Sequence, residues 1–217
     1  MKTGALSTQS GGELMDSIYR VQRHFYDLTR KYYLFGRDRL IAELALAPGA
    51  TVLEIGCGTG RNLARIARKW PGVELHGLDI STEMLKSARR KLGPQAVLAL
   101  GDATGFDAEA LFGRERFDCV VLSYATSMIP GWQSAIDAAT AVLAPQGSLH
   151  IVDFGSFSGL PSPARALLRR WLAAFHVAPR TDLGWVTELI GEAHGRPVKV
   201  RHGPAGYYVC LTVRAVA

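Results

Sequence analysis

The turn Glu54-Ile55-Gly56-Cys57-Gly58-Thr59-Gly60 sets the tightest limit on how this chain can fold. It follows an apolar run, Thr51–Ile55 (TVLEI). It precedes Arg61–Lys69 (RNLARIARK), where Leu63, Ile66 and Ala67 recur at helical spacing. A strand that enters a helix through alternate glycines is the opening unit of a parallel α/β sheet, which binds ligands outside the carboxyl ends of its strands. The glycines remove Cβ atoms where a ligand must approach the backbone, and they permit positive φ. The helix that follows begins with unpaired N–H groups able to face a carboxylate.

From Ala50 onward β-rich and helical runs alternate. Strands are expected at 51–55, 73–79, 96–100, 117–123 and 148–154, with helices at 61–69, 83–92, 132–143 and about 164–176. Phe117–Ser123 (FDCVVLS) is the most apolar run and is expected at the centre of the sheet, covered on both faces. Two final runs, 198–202 and 207–213, are separated by Gly203-Pro204-Ala205-Gly206, a hairpin signal that adds an antiparallel strand. The expected fold is therefore α/β: a mostly parallel seven-stranded sheet with helices on both faces and a C-terminal antiparallel hairpin. Residues 1–45 read as a tail and helical extension over the ligand-binding edge, and residues 46–217 as the ligand-binding domain.

The chain has 217 residues, 48 % of them apolar, which is enough for one sizeable core. No run approaches the ~18 apolar residues of a membrane span, and Met1–Gly12 lacks the apolar stretch of a secretory signal. Cys57, Cys119 and Cys210 are widely spaced in apolar segments, with no zinc-like pattern. They read as reduced, buried thiols of a cytoplasmic protein, and no metal site is expected. The net charge of +6 is concentrated in the flanks: residues 161–217 carry eight Lys/Arg against three Asp/Glu, while the stretch around the glycine turn is nearly neutral. Such a distribution suits an anionic surface, and equally suits general solubility.

The glycine turn is not G-x-x-x-x-G-K-[ST], so a phosphate cradle with its lysine is absent. Asp79 ends the second strand about 20 residues further on, where an acidic side chain accepts hydrogen bonds from ribose hydroxyls. Asp102 ends the third strand, placed either to meet an adenine amino group or to serve as a plain helix cap. Together V-L-E-I-G-C-G-T-G, L-D-I-S, G-D-A and the apolar strand before Ser123 resemble the motif series of class I S-adenosylmethionine-dependent methyltransferases, over about Thr51–Phe154. The resemblance implies a Rossmann-like methyltransferase fold with S-adenosyl-L-methionine as cofactor and S-adenosyl-L-homocysteine as product. It also implies a cofactor site built from Arg37, Glu54, Gly56, Cys57, Gly58, Asp79, Ile80, Met84, Asp102, Ala103 and Ser123. Cys57 occupies a variable position of that motif and contributes through its backbone. Met84 reads as packing under the adenine or as simple core.

The stretch 15–39 interleaves Tyr19, Phe25, Tyr26, Tyr32, Tyr33 and Phe35 with Arg and Lys. Its Tyr-Asp-x-Thr-Arg-x-Tyr-Tyr-Leu-x-Gly-Arg-Asp pattern resembles the N-methyltransferases of bacterial betaine-lipid synthesis. Those enzymes convert diacylglycerylhomoserine into diacylglyceryl-trimethylhomoserine. That resemblance implies a lipid amine as acceptor, an enzyme peripheral to the inner membrane surface, and a functional partner that makes the homoserine headgroup. Tyr26, Tyr32, Tyr33 and Tyr124 are the candidate lining for the amine, since aromatic faces and phenol oxygens stabilise ammonium; each reads equally as packing. Arg37, in preference to Arg39, is expected at the methionine carboxylate. No dedicated base is assigned. Leu160–Phe175 sets Leu167, Leu168, Trp171, Leu172 and Phe175 beside Arg165, Arg169 and Arg170, a pattern that fits a membrane-surface helix or one packed on the sheet. A phosphatidylethanolamine amine, a quinone, a small metabolite and a non-catalytic cofactor-binding role are the alternatives. Nucleic acid is not expected, because no Asn/Asp-Pro-Pro-Tyr-like motif and no RNA-binding module is present.

Overall fold

The computed structural model describes residues 34–175 and 177–215. In chain order the elements are α1 (Arg37–Ala42), β1 (Thr51–Ile55), α2 (Arg61–Lys69), β2 (Glu74–Asp79), α3 (Thr82–Leu92), β3 (Ala96–Leu100), α4 (Ala108–Phe112), β4 (Phe117–Ser123), α5 (Trp132–Ala141), β5 (Leu143–Phe154), α6 (Ser162–Ala173), α7 (Leu183–Ala193), β6 (Val198–His202) and β7 (Tyr208–Arg214). The seven strands form one sheet in the order β3-β2-β1-β4-β5-β7-β6. Strands β1 to β5 pair in parallel, and β7 runs antiparallel to both β5 and β6. The fold is the Rossmann-like one expected, with its hairpin strand inserted beside β5.

Alternate side chains of the central strands enter two cores, one on each face. Val52, Cys119, Val121 and Val152 meet Leu63 and Ile66 of α2, Leu85 and Ala88 of α3, and Leu172 of α6. Leu53, Ile55, Val120, Leu122 and Ile151 meet Phe112 of α4, Trp132 and Ile136 of α5, and Leu183 of α7. Both faces are therefore dry, which is why β1 and β4 read as nearly continuous apolar runs. Leu34, Leu40, Ile41 and Leu44 belong to the first core, so residues 34–44 share the core of the sheet. Cys57, Cys119 and Cys210 are buried free thiols.

The strand order turns at β1, where β2 and β4 lie on opposite sides and their connections diverge. The turn after β1 therefore opens at the crevice where such sheets take their ligands. The side chain of Ser81 caps α3 by accepting from the Met84 N–H, and Asp107 caps α4 through the Ala110 N–H. Helix α5 stops at Ala141, two residues short of the expected end, because β5 starts at Leu143 rather than at Ser148. The first part of β5, Leu-Ala-Pro-Gln-Gly, has turn composition, and the β4–β5 register slips between Phe117 and Cys119 to admit it.

Gly155, just past β5, lies where β5 and the β6–β7 connection come closest. A Cβ there would sit 2.3 Å from the Gly206 carbonyl oxygen and 3.3 Å from the Tyr208 carbonyl carbon, all backbone. Backbone cannot turn aside as a side chain can, so Gly155→Ala should destabilise the protein by about 3 kcal/mol or more in urea unfolding.

Candidate active site

The turn after β1 is pinned before any ligand arrives. The N–H groups of Gly56 and Cys57 both donate to the Leu78 carbonyl, at 2.8 and 3.0 Å, and the Gly60 N–H donates to the Cys57 carbonyl. Asp79, at the end of β2, accepts from the Gly58 N–H at 2.7 Å through one oxygen and from the Ser81 N–H at 2.9 Å through the other. Gly56 and Gly58 both have positive φ, 70° and 54°. They differ in surroundings: a Cβ on Gly56 would press on Ala125 at 3.0 Å, whereas one on Gly58 would project into open space. The Cys57 side chain turns inward, towards Gly77, and burial with nearby Asp79 holds its thiol well above the ordinary range.

Glu54 is 1 % exposed. One carboxyl oxygen accepts from the Asn62 side-chain amide at 2.7 Å, and the other is buried with no hydrogen-bond partner. Burial pushes this carboxyl up to about 8, against the downward pull of the Asn62 bond, the Arg37 guanidinium and the Leu63 N–H. Arg37 is itself buried, its Nε donating to the Leu34 carbonyl at 3.4 Å. Arg39 is exposed and paired with Glu43 at 2.9 Å, so of the two arginines Arg37 is the one beside the turn. Asn62 was not expected from sequence; the signal for it was an amide side chain in the first turn of α2, directly after the glycine turn.

The remaining expected residues fall round the same edge. Ser123 ends β4, and its hydroxyl is buried without a partner. Ile80 is half-buried, and Met84 is buried in the first turn of α3. Asp102 is exposed, one oxygen receiving both the N–H and the hydroxyl of Thr104 at 2.8 Å, and Ala103 packs partly against the second core. Asp102 thus closes a turn and caps no helix, since Asp107 caps α4, and its carboxyl is at the surface.

Tyr124 does not line the opening. Its ring is buried 4.7 Å from that of Phe154 and its hydroxyl donates to the Phe35 carbonyl, which ties residues 34–36 across the end of β4. Tyr26, Tyr32 and Tyr33 lie outside the described residues. Nearby, Asp153 is buried and takes the Thr126 hydroxyl at 2.5 Å and the N–H groups of Ser127 and Phe154. It holds the 125–128 segment in place. Among the described residues no group of His, Cys, Asp and Glu could hold a metal, and no helix is long and apolar enough to cross a membrane.

Residues 52–147 match the family described as "Methyltransferase domain". The match runs from β1 into β5 and includes the glycine turn. The chain is similar to the ubiquinone/menaquinone biosynthesis C-methyltransferase UbiE of Syntrophotalea carbinolica, 33 % identical over 71 % of this chain and 65 % of that one. It is also similar to the trans-aconitate 2-methyltransferase of Streptomyces avermitilis, 33 % identical over 59 % of this chain and 46 % of that one. The chain thus spans about half to two thirds of these curated relatives. Among solved structures, the phosphoethanolamine N-methyltransferase 2 of Haemonchus contortus, in complex with phosphomonomethylethanolamine and S-adenosylhomocysteine, shares the fold. Its TM-score is 0.74 at 14 % identity, over 97 % of this chain and 61 % of that one. A SAM-dependent methyltransferase of Aquifex aeolicus superposes with a TM-score of 0.64 at 17 % identity, over 91 % of this chain and 98 % of that one.

The raised Glu54 carboxyl has a consequence for stability. Between its ordinary value of 4.5 and about 8, the folded protein holds a proton there that the unfolded chain has released. Stability from this group is therefore complete below about pH 4.5 and is lost as the pH rises through 8. Urea unfolding of the cofactor-free protein at a series of pH values should show this decline, at up to ~1.4 kcal/mol per pH unit. Glu54→Gln should remove that component of the slope.

Proposed function

We propose that this chain is an N-methyltransferase that methylates the amine of diacylglycerylhomoserine, yielding diacylglyceryl-trimethylhomoserine and S-adenosyl-L-homocysteine, and that it works at the cytoplasmic face of the inner membrane. The methyl-transfer part rests on one observation: a glycine turn locked to Asp79, with the buried, half-partnered carboxyl of Glu54 behind it. The residues present fit the cofactor. Glu54 and Arg37 would serve its methionine end, the unpartnered Glu54 oxygen facing the ammonium and the Arg37 guanidinium the carboxylate. Asp79 would take the ribose hydroxyls, while the open side of Gly58 and the backbone of Gly56 and Cys57 admit the nucleoside. Ile80 and Met84 would flank the adenine, with Asp102, Ala103 and Ser123 along its edge.

When bound, S-adenosyl-L-methionine supplies a sulfonium methyl that a neutral amine lone pair can displace in line. The chain's own contribution is alignment, since a bound pair reacts as if at very high local concentration. The amine reacts as the free base, so its ammonium form loses a proton before each transfer; solvent can take that proton, and no base is assigned. Support for the acceptor comes from the Tyr/Arg-rich stretch 15–39 and its resemblance to the betaine-lipid enzymes. The functional partner under this reading is the enzyme that makes the homoserine headgroup. A quinone ring is the second reading, favoured by the 33 % identity to the ubiquinone/menaquinone C-methyltransferase.

Purified protein given methyl-labelled cofactor and total membrane lipids should place the label in a polar amino lipid. Label in the quinone fraction would move the assignment to carbon methylation, and cofactor binding without any labelled lipid would defeat the lipid reading altogether. Asp79→Ala removes the ribose acceptor and the brace on Gly58 together. Its cofactor affinity, read by calorimetry, should fall by ~30-fold or more, corresponding to about 2 kcal/mol. Unchanged affinity would contradict the site.

A further inference from the structure

The basic C-terminal flank has no part in the site around the glycine turn, yet three of its cations are gathered in one place. The sheet ends in β7 and β6, whose side chains alternate between its two faces. Val198, Val200, Leu211 and Val213 turn to the second core. Lys199, Arg201, Thr212 and Arg214 turn to the opposite face. Strand pairing sets His150, Thr212 and Lys199 in one row across β5, β7 and β6, with Ser148 opposite Arg214 on one side of it and Cys210 opposite Arg201 on the other.

This face is hollow. A cavity of about 440 Å³ is lined by His150, Lys199, Arg201, Thr212 and Arg214, with Glu43 as its one carboxylate. That carboxylate is already committed: both oxygens bond to Arg201, and one also takes Arg39. The two arginines hold the Glu43 carboxyl down to about 2, so it stays ionised. Among the described residues the side chains of Lys199 and Arg214 have no hydrogen-bond or ion-pair partner. Once Glu43 is set against Arg201, two positive charges in the hollow are unbalanced. Cations on the last strand of a sheet often only keep it from pairing with other chains, but that purpose needs neither a cavity nor a histidine inside it.

His150 is 4 % exposed, with one ring nitrogen 2.9 Å from the Ser148 hydroxyl. Burial first, then the Arg214 guanidinium and more weakly that of Arg201, push its imidazole down to about 4, against the pull of Glu43. The ring is therefore neutral at ordinary pH, and the cations around the hollow reach it. A group so enclosed meets a small ligand rather than a broad surface such as a bilayer. Along β5, His150 lies well back from Phe154, ~13 Å behind the edge on which the glycine turn opens. The hollow is thus a place apart from that turn.

We propose that the hollow bounded by Lys199, Arg201 and Arg214 is a second ligand site, which takes a small phosphate monoester. The dianionic head balances Lys199 and Arg214, since a guanidinium fork matches phosphate oxygens, and Thr212 and the His150 ring supply further hydrogen bonds. The hollow is of the size that holds a small organic molecule, which leaves room for the ester's carbon part. The proposal does not depend on which methyl acceptor the chain uses. Glycerol 3-phosphate, titrated into the full chain by calorimetry, should bind saturably. Succinate, a dianion without phosphate's oxygens, should bind at least tenfold more weakly. Lys199→Gln with Arg214→Gln should weaken glycerol 3-phosphate tenfold or more, and Thr212→Val about threefold. Both substituted charges are on exposed side chains, and an unchanged thermal midpoint shows that the variants fold. The His150 ring signals, followed by nuclear magnetic resonance, should move over the same ligand concentrations as the heat. Saturating S-adenosyl-L-homocysteine should leave the affinity unchanged, because the two sites are separate. Absence of binding, succinate bound as tightly, an unweakened double variant, an unmoved His150 or competition with S-adenosyl-L-homocysteine would each overturn the proposal.

Discussion

The carboxylate of Asp79 joins parts of the molecule that would otherwise be set independently. One oxygen holds the Gly58 N–H, and so the far side of the glycine turn; the other holds the Ser81 N–H, and so the entry to α3. The near side of the turn hangs on the adjacent Leu78 carbonyl. Strand β2 therefore acts as the jig on which the turn after β1 is shaped, and parallel pairing of Ile55 with Leu78 brings the two into register. Positive φ at Gly56 and Gly58 allows the chain to follow that path without steric cost. A ligand meets a surface already fixed, so little of its binding free energy is spent on ordering it.

Behind the turn stands a second, less settled arrangement. Glu54 has one partnered oxygen and one orphan in a dry setting, at the start of α2 and beside Arg37. Such a group is held against its own preference for water, and anything cationic that reaches the orphan oxygen relieves the conflict. The same residue thus costs stability in the ionised form and supplies binding, a common trade at functional sites.

What could be read from the chain beforehand follows its physics closely. Strands β1 and β4 were legible because both faces are buried and their apolar runs are unbroken, and the glycine turn because its composition permits little else. Helix α7 was missed: Gly184 and Gly191 interrupt its pattern, and Trp185 and Leu189 blur its polar face. The start of β5 was hidden by Pro145 and Gly147, which read as a turn. Glu54 and Asp79 could be placed near the turn from spacing and Arg37 only through the family resemblance, whereas Asn62 could not be placed, since its role exists only through a buried side-chain contact. Tyr124 shows the opposite failure: a hydroxyl near the opening reads as a ligand group until the backbone shows which way it points.

Tyr124 is also one of the few non-glycine residues with positive φ, at 54°, immediately after β4. Left-handed backbone on a bulky residue is strained, typically by about 1 kcal/mol, and persists only where its surroundings over-determine it. Here the ring against Phe154 and the hydroxyl on Phe35 do so. The bend sends the chain on to Ala125, whose methyl group bounds the space at Gly56. Backbone and side chain at position 124 thus have opposite demands. A glycine would relieve the twist and release residues 34–36, a phenylalanine would keep the twist and loosen the strap, and the natural residue is a compromise between the two.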